Sequence, residues 1–97
     1  MKISDLEKIS NPDEVKRKFL KYKGSDDAVI SISPKSNKKY RVTYKGKAIH
    51  FGSKMEDYTK HKDETRRESY IKRSNAIPGD WRDDKYSPNN LSRNLLW

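Results

Sequence analysis

The feature that most constrains the fold is a strand–turn–strand pattern in the middle of the chain. Polar and apolar residues alternate over Tyr40–Tyr44, and a second run, Lys47–Phe51, follows after only a Lys-Gly pair. Alternation with a period of two is typical of a half-buried strand. Glycine supplies the positive φ that a two-residue hairpin turn needs. The pattern therefore predicts a hairpin in which Val42 faces Ile49.

In this register one face of the hairpin is apolar and the other is polar. Tyr40 and Phe51 extend the apolar face. The polar face carries Arg41, Thr43, Ala48 and His50. A slip by one residue would move Phe51 to the polar face, so the register is strongly preferred. Lysine is less favoured than Asn or Asp at the first turn position, so a slightly longer loop is the alternative.

Flanking patterns predict a third strand and two helices. An apolar run over residues 28–33 predicts a strand that joins the hairpin as a meander. An Asn-Pro start followed by acids predicts a helix over residues 12–23, which Gly24 ends. A second helix is expected from Lys60 or Asp63 to Arg73. We therefore predict a small α+β fold: a three-stranded antiparallel meander packed by one or two helices, with extended N- and C-terminal arms.

The composition predicts three parts along the chain. Hydrophobic residues make up 31% and charged residues 38%, which is little core material for a domain of this size. We expect an N-terminal helical arm (residues 1–24), an α+β core (25–74) and a C-terminal arm (75–97). The arms would become ordered on a partner.

The charge balance predicts an anionic partner. The 23 Lys and Arg against 14 Asp and Glu give a net charge of +9, which favours nucleic acid, an anionic surface or an acidic protein. The candidate contact residues are Lys62, Arg66, Arg67, Lys72 and Arg73 on the second helix, with Arg41 on the sheet. The alternative is a solvated helix face with internal ion pairs, Glu64 with Arg67 and Glu68 with Lys72.

The end of the chain is unusually apolar. Leu95, Leu96 and Trp97 close it, and Trp81 lies in the same predicted arm. One interpretation is that these side chains fold back into the small core. The other is that all four anchor a protein partner, as buried tryptophans often do at interfaces.

The sequence contains no recognisable catalytic or metal site. There is no cysteine, the two histidines lack metal-ligand spacing, and no glycine-rich phosphate loop is present. We therefore expect a non-enzymatic protein with no cofactor or metal. The alternative is a small two-metal nuclease that uses the chain's carboxylates with His61. The candidate carboxylates are Asp57, Asp63, Glu64, Asp80, Asp83 and Asp84. No signal-peptide pattern or membrane span is evident, so secretion is not expected.

Three blocks of the sequence carry a resemblance: HFG at residues 50–52, DYTKHKD at 57–63 and YIKR at 70–73. Together they resemble a family of small basic proteins from large DNA viruses of eukaryotes, the giant and algal viruses, which have no assigned activity. The resemblance covers residues 39–97. The chain departs from the family pattern at Ser74, where members usually have His. It also departs at Asn90, Leu91 and Asn94, where members tend to have aromatic residues.

The resemblance implies a viral origin and a place in the virion, for a protein made in the host cytoplasm. We expect a structural protein that binds either acidic surfaces of viral capsid proteins or the DNA genome. A regulator that acts through a protein partner is the remaining alternative.

Overall fold

The predicted meander forms the centre of the structure, a computed structural model that describes residues 1–97. The three strands lie in chain order in one antiparallel sheet: β1 (Ala28–Ile32), β2 (Tyr40–Tyr44) and β3 (Lys47–Phe51). Val42 lies opposite Ile49, as the alternation predicts. The α+β class, the strand order and the hairpin register are therefore confirmed.

The hairpin turn contains only Lys45 and Gly46. Both residues have positive φ, 50° and 75°, which is the backbone of a two-residue type I′ turn. The longer loop does not form. Lysine is accepted at the first position because this turn matches the twist of the flanking strands.

Helical segments precede and follow the sheet. They are α1 (Ile3–Leu6), α2 (Pro12–Lys23), α3 (Tyr58–His61), α4 (Glu64–Asn75), a 3₁₀ turn (Trp81–Asp83), α5 (Pro88–Leu91) and a π-helical turn (Ser92–Leu96). The side chain of Asn11 caps α2, and the side chain of Asp63 accepts hydrogen bonds from two backbone amides of α4. No helix combines the length and apolar character that a membrane span requires.

The helix expected from Lys60 or Asp63 is divided in two. Lys62 has the left-handed φ of 55° and ends α3, and Asp63 then caps α4. The cap of α3 is Asp57, whose carboxylate accepts a hydrogen bond from the amide of Thr59. The side chain of Thr59 is buried in the interior.

All buried apolar side chains of the sheet point to one face, and both ends of the chain cover that face. The core is one cluster: Leu6, Val15, Phe19, Ala28, Tyr40, Val42, Phe51, Tyr86, Leu91, Leu95 and Leu96. Only Ala28, Tyr40, Val42 and Phe51 come from the sheet. The three predicted parts of the chain thus share a single core.

The two ends therefore differ from the extended arms that the composition suggested. The four buried side chains of the sheet make too small an apolar surface to be stable alone, and helices at both ends supply the second layer. The C-terminal segment is also tied to the start of β1 by polar contacts. Asp26 accepts hydrogen bonds from Lys85 Nζ (2.8 Å) and from the hydroxyl of Tyr86 (2.7 Å).

The other face of the sheet is left without a covering layer. Its residues, which we call the open face, are Val29, Ser31, Arg41, Thr43, Ala48 and His50. Val29, Thr43 and Ala48 are exposed, and all core residues of the strands lie on the opposite face. The molecule therefore has two layers, one of helices and one of strands.

Candidate functional site

Three cations of α4 are exposed and have no acidic partner. Arg66, Lys72 and Arg73, which we call the α4 cations, are absent from the four ion pairs of the chain. The predicted pairs between Glu64 and Arg67 and between Glu68 and Lys72 do not form. Glu64 instead accepts a hydrogen bond from the hydroxyl of Tyr58. The helix therefore presents its positive charge to solvent without internal compensation.

The two remaining predicted residues of this region hold elements together. Lys62 Nζ lies 2.7 Å from Oε1 of Glu14, and this pair joins the α3–α4 junction to α2. Arg67 Nε donates to the carbonyl oxygen of Trp97 at 2.7 Å. Burial lowers the pKa of Lys18; Glu14 opposes that effect, and Lys62 and Arg67 add to it. Cations of α2 and α4 thus lie near one another on one side of the molecule.

No arginine of the chain pairs with a side-chain carboxylate. All four ion pairs use lysines: Lys8, Lys39, Lys62 and Lys85. Arginines that are fixed in place donate to neutral acceptors instead, as Arg93 does to Asn75 Oδ1 at 2.6 Å. A neutral acceptor orients a guanidinium group but leaves its charge intact, so the positive field of the surface is retained.

Arg41 is the predicted site residue on the open face. Its Nε donates to the hydroxyl of Ser31 on the neighbouring strand (3.2 Å), and His50 lies opposite it on β3. The pKa of His50 is lowered, first by burial and then by the nearby charges of Lys35, Arg41 and Lys38. The open face therefore carries one guanidinium group, with two lysines of the adjoining turn nearby, and none of its residues is acidic.

The four predicted partner anchors lie in different environments. Leu95 and Leu96 are 0% and 1% exposed in the protein's own core, and Leu96 also forms part of the wall of an open cleft. The interpretation that the end of the chain folds back applies to them. Trp97 is half-buried and stacks on Tyr70, with ring centroids 4.5 Å apart. Trp81 is half-buried as well, with the guanidinium of Arg82 4.3 Å from its ring centroid.

An open cleft lies beside the stacked rings. Its volume is about 270 Å³, and its lining includes Met55, Tyr70, Arg73, Ile77, Leu96 and Trp97. Met55 and Ile77 are large apolar side chains that remain exposed. The cleft is mostly apolar with one guanidinium group at its edge, which suits an apolar side chain with a neighbouring negative charge.

A buried ion pair, which the sequence analysis did not anticipate, lies behind this cleft. Lys39 and Asp57 have side chains 2% and 0% exposed, and Nζ lies 3.1 Å from Oδ2. Nζ also donates to the carbonyl oxygen of Met55 at 2.5 Å. Burial lowers the pKa of Lys39, and the charge of Asp57 opposes that effect. Because its ammonium group is held by a carboxylate and a carbonyl oxygen, Lys39 has a structural role.

The ion pair continues into a buried chain of hydroxyl groups. The hydroxyl of Thr59 donates to Asp57 and lies 3.3 Å from that of Ser10, which lies 2.7 Å from the hydroxyl of Tyr40. The backbone amide of Asn11 donates to Thr59 Oγ1 at 3.0 Å. The network therefore joins the N-terminal segment, the central strand and α3. Lys39 belongs to a polar turn rich in lysine, and no local pattern distinguishes it from its exposed neighbours.

The carboxylates and histidines do not converge on a possible metal site. No group of three or more His, Asp or Glu side chains is arranged to hold a metal ion. Asp57 is occupied by Lys39, and Asp63 by the amides of α4. His61 Nδ1 accepts a hydrogen bond from the amide of Asp63 at 2.9 Å, and its buried Nε2 has no partner.

Comparison with known proteins identifies a similarity to a family whose function is unknown. The sequence profile described as "Family of unknown function (DUF5754)" matches residues 28–74, from the start of β1 into α4. No curated protein and no solved structure matches the chain. The chain is thus similar to that family over the sheet and the helices that follow it, while both covering ends lie outside the match.

Proposed function

We propose that this protein is a non-enzymatic nucleic-acid-binding protein that neutralises phosphate charge with a fixed array of uncompensated cations. The observation that carries the proposal is the distribution of ion pairs. Only four of the 23 Lys and Arg side chains pair with a carboxylate, and none of the four is an arginine. Phosphate contacts release counterions and supply most of the affinity of such proteins.

The α4 cations are the proposed backbone contacts. They lie on a twelve-residue helix whose first turn is fixed by Asp63 and whose N-terminal junction is held to α2 by Lys62 and Glu14. Rigid placement reduces the entropy that long side chains lose on binding. Contacts of this kind position a protein on a duplex without selecting a sequence.

The resemblance to small basic viral proteins supports a place for the protein beside a viral genome inside the virion. In that setting an abundant basic protein offsets the charge of packed DNA, and sequence-independent contacts suffice. This part of the proposal is tested by finding the protein with purified particles, and with the nucleic acid after the shell is opened.

A second candidate partner is an acidic surface of a viral capsid protein. The cleft favours this alternative, because it combines exposed Met55 and Ile77 with the guanidinium of Arg73. An apolar pocket beside a cation fits a peptide with an apolar side chain next to an acid. Retention of the protein on shells after nuclease treatment would favour this partner over the genome.

The decisive experiment measures binding of the whole chain to random duplex DNA across a salt series. If about six to ten cations contact phosphates, the affinity falls roughly 10³- to 10⁵-fold between 50 mM and 200 mM salt. Replacing Arg66 and Arg73 by Gln removes two contacts and lowers the slope of log affinity against log salt by about two. Weak binding with little salt dependence would contradict the proposal.

The matched control is the double variant Lys8→Gln with Lys85→Gln. It removes the same charge from two lysines that already pair with Asp5 and Asp26, so we expect a smaller change in slope. The same samples with Mg²⁺ or Mn²⁺ test the nuclease alternative. Intact DNA after incubation is expected, and metal-dependent cleavage lost in Asp63→Ala would contradict a non-enzymatic role.

A further inference from the structure

The open face has the composition of a surface that approaches another molecule closely. Ser31, Thr43 and Ala48 are small, so the backbone of the sheet is accessible over much of this face. None of its residues is acidic, and β2 places Arg41 on the central strand. The face therefore combines small side chains with one guanidinium group and has no carboxylate.

The side chains of the open face form two rows across the strands. One row runs Ser31–Arg41–His50, and the other runs Val29–Thr43–Ala48. The first row carries hydrogen-bonding groups, and the second carries methyl groups. In the major groove of DNA, arginine donates to O6 and N7 of guanine, and methyl groups of Ala and Thr contact the methyl group of thymine.

The guanidinium group of Arg41 is held in an orientation that suits such a contact. Its Nε is held by the hydroxyl of Ser31, and neither terminal amino group of the guanidinium has a hydrogen-bond partner within the chain. A guanidinium group with two free, coplanar donors matches the paired acceptors of guanine. The hydrogen bond to Ser31 fixes the orientation before any partner arrives.

We propose that the open face binds in the major groove of B-form duplex DNA, with Arg41 donating to guanine. This inference rests on the proposed function and adds the surface, the groove and the duplex form. Three strands about 4.8 Å apart span roughly 10 Å, and the major groove is about 12 Å wide. Strands of several known DNA-binding proteins enter this groove.

Lysines at one end of the open face add to its charge. Lys35 and Lys38 lie in the turn between β1 and β2, and their charges act on His50 together with that of Arg41. Cations beside the face suit the phosphates that border a groove. A second copy of the chain is a poor occupant, since both copies carry a charge of +9. Duplex RNA is also disfavoured, because its deep, narrow major groove excludes side chains.

The test compares two arginine substitutions that remove the same charge from different surfaces. Binding sites are first selected from a random duplex pool with the unmodified protein. Arg41→Ala should then lower affinity for a selected site about 5- to 150-fold and relax the preference for guanine at one position. Arg66→Ala, on α4 in the helical layer, removes the same charge away from the open face and should leave the preference for guanine unchanged.

Two further variants separate base contact from charge and from folding. Arg41→Lys keeps the charge but loses the paired donors, so the preference for guanine should fall while the salt slope is unchanged. Thr43→Glu places a negative charge on the exposed centre of the face and should abolish binding, whereas Thr43→Ser should bind normally. Circular dichroism checks that each variant is folded.

The results distinguish failure of the inference from failure of the proposed function. If the protein binds DNA with a steep salt dependence but Arg41→Ala behaves like Arg66→Ala, the open face does not enter the groove. Preference for duplex RNA or single strands would overturn the inference in the same way. If the unmodified protein shows no salt-dependent binding to DNA, the proposed function itself is wrong.

Discussion

The two faces of the sheet are built from alternate residues of the same strands, and the charged groups on the two sides have different partners. Behind the covered face, Lys39 is neutralised by Asp57 in the interior. On the open face, Arg41 has only a hydroxyl partner and keeps its charge. The difference shows that the buried lysine is neutralised by a carboxylate, while the arginine of the open face is oriented by a neutral group and keeps its charge.

In this arrangement, neighbouring residues of one strand have different expected roles, one in stability and the next in the proposed binding. Val42 is buried in the core, and its neighbours on both sides belong to the open face. Substitutions at even positions of β2 should therefore act on folding, and those at odd positions on binding. Substitutions in different parts of the molecule test that separation, and the largest effect on stability is expected in the core.

The largest loss of stability is expected from truncating a buried aromatic of the covered face. Phe51→Ala should lower the free energy of unfolding by about 3–5 kcal/mol, because it removes a 1% exposed ring and leaves a cavity. Thr43→Ala, on the open face, should cost less than about 1 kcal/mol. Urea denaturation measures both. Similar losses for the two variants would show that the open face is packed.

A second large effect is expected at the buried ion pair. Asp57→Asn keeps an oxygen to cap α3 but removes the charge that compensates Lys39. Leaving a buried charge unpaired costs about 3–5 kcal/mol. Glu14→Gln, which breaks the more exposed pair with Lys62, should cost less than about 1 kcal/mol.

The dependence on pH identifies the cause of that loss. Burial lowers the folded-state pKa of Lys39, and in Asp57→Asn only the charge of Glu56, the smallest of the opposing effects, remains against it. The folded state then binds fewer protons than the unfolded state, so the variant should gain stability as pH rises from about 7 to 9. Adding Lys39→Met should restore part of the loss. A deficit that is constant with pH would mean that the charge is not responsible.

A smaller effect on stability should appear in acid. It concerns the contacts that join the C-terminal segment to the start of β1. The hydrogen bonds from Lys85 and Tyr86 lower the pKa of the Asp26 carboxyl below its usual range. This contribution is therefore present above the unfolded-state pKa of about 4 and is lost as pH falls through the folded-state value. The stability difference between the unmodified protein and Asp26→Asn should shrink over that range in acid unfolding.

The smallest change in stability is expected at Arg41. Arg41→Ala removes one hydrogen bond at the surface of the sheet, so the free energy of unfolding should change by less than about 1 kcal/mol. Its effect on DNA affinity should be much larger. If thermal unfolding shows a large loss instead, the residue belongs to the fold, and the contrast between the faces is weaker than proposed.

Local patterns predicted the meander, its register and the helix starts at Asn11 and Asp63. Those features depend on residues close in sequence, whose chemistry specifies turns and caps directly. The covering layer could not be predicted in this way. Leu95 and Leu96 became part of the core because the sheet has too few apolar residues of its own, and that requirement appears only when distant segments are brought together.

The candidate site was predicted to the same limited extent. The exposed cations of α4 followed from helical spacing, but the ion pair of Lys39 with Asp57 joins positions eighteen residues apart. Nor could the sequence show that Lys62 and Arg67 would be engaged by Glu14 and Trp97. Net charge suggests an anionic partner, which stays a prediction, whereas the cations that remain available depend on tertiary contacts.

The segment matched by the family profile ends before the helices that complete the core. A related polypeptide limited to residues 28–74 would expose Tyr40, Val42 and Phe51 to water. To be stable, such a polypeptide would need these side chains to be covered, either by other flanking sequence or by another molecule. The side chains that cover the sheet thus come from outside the matched segment, whereas every residue of the open face lies within it.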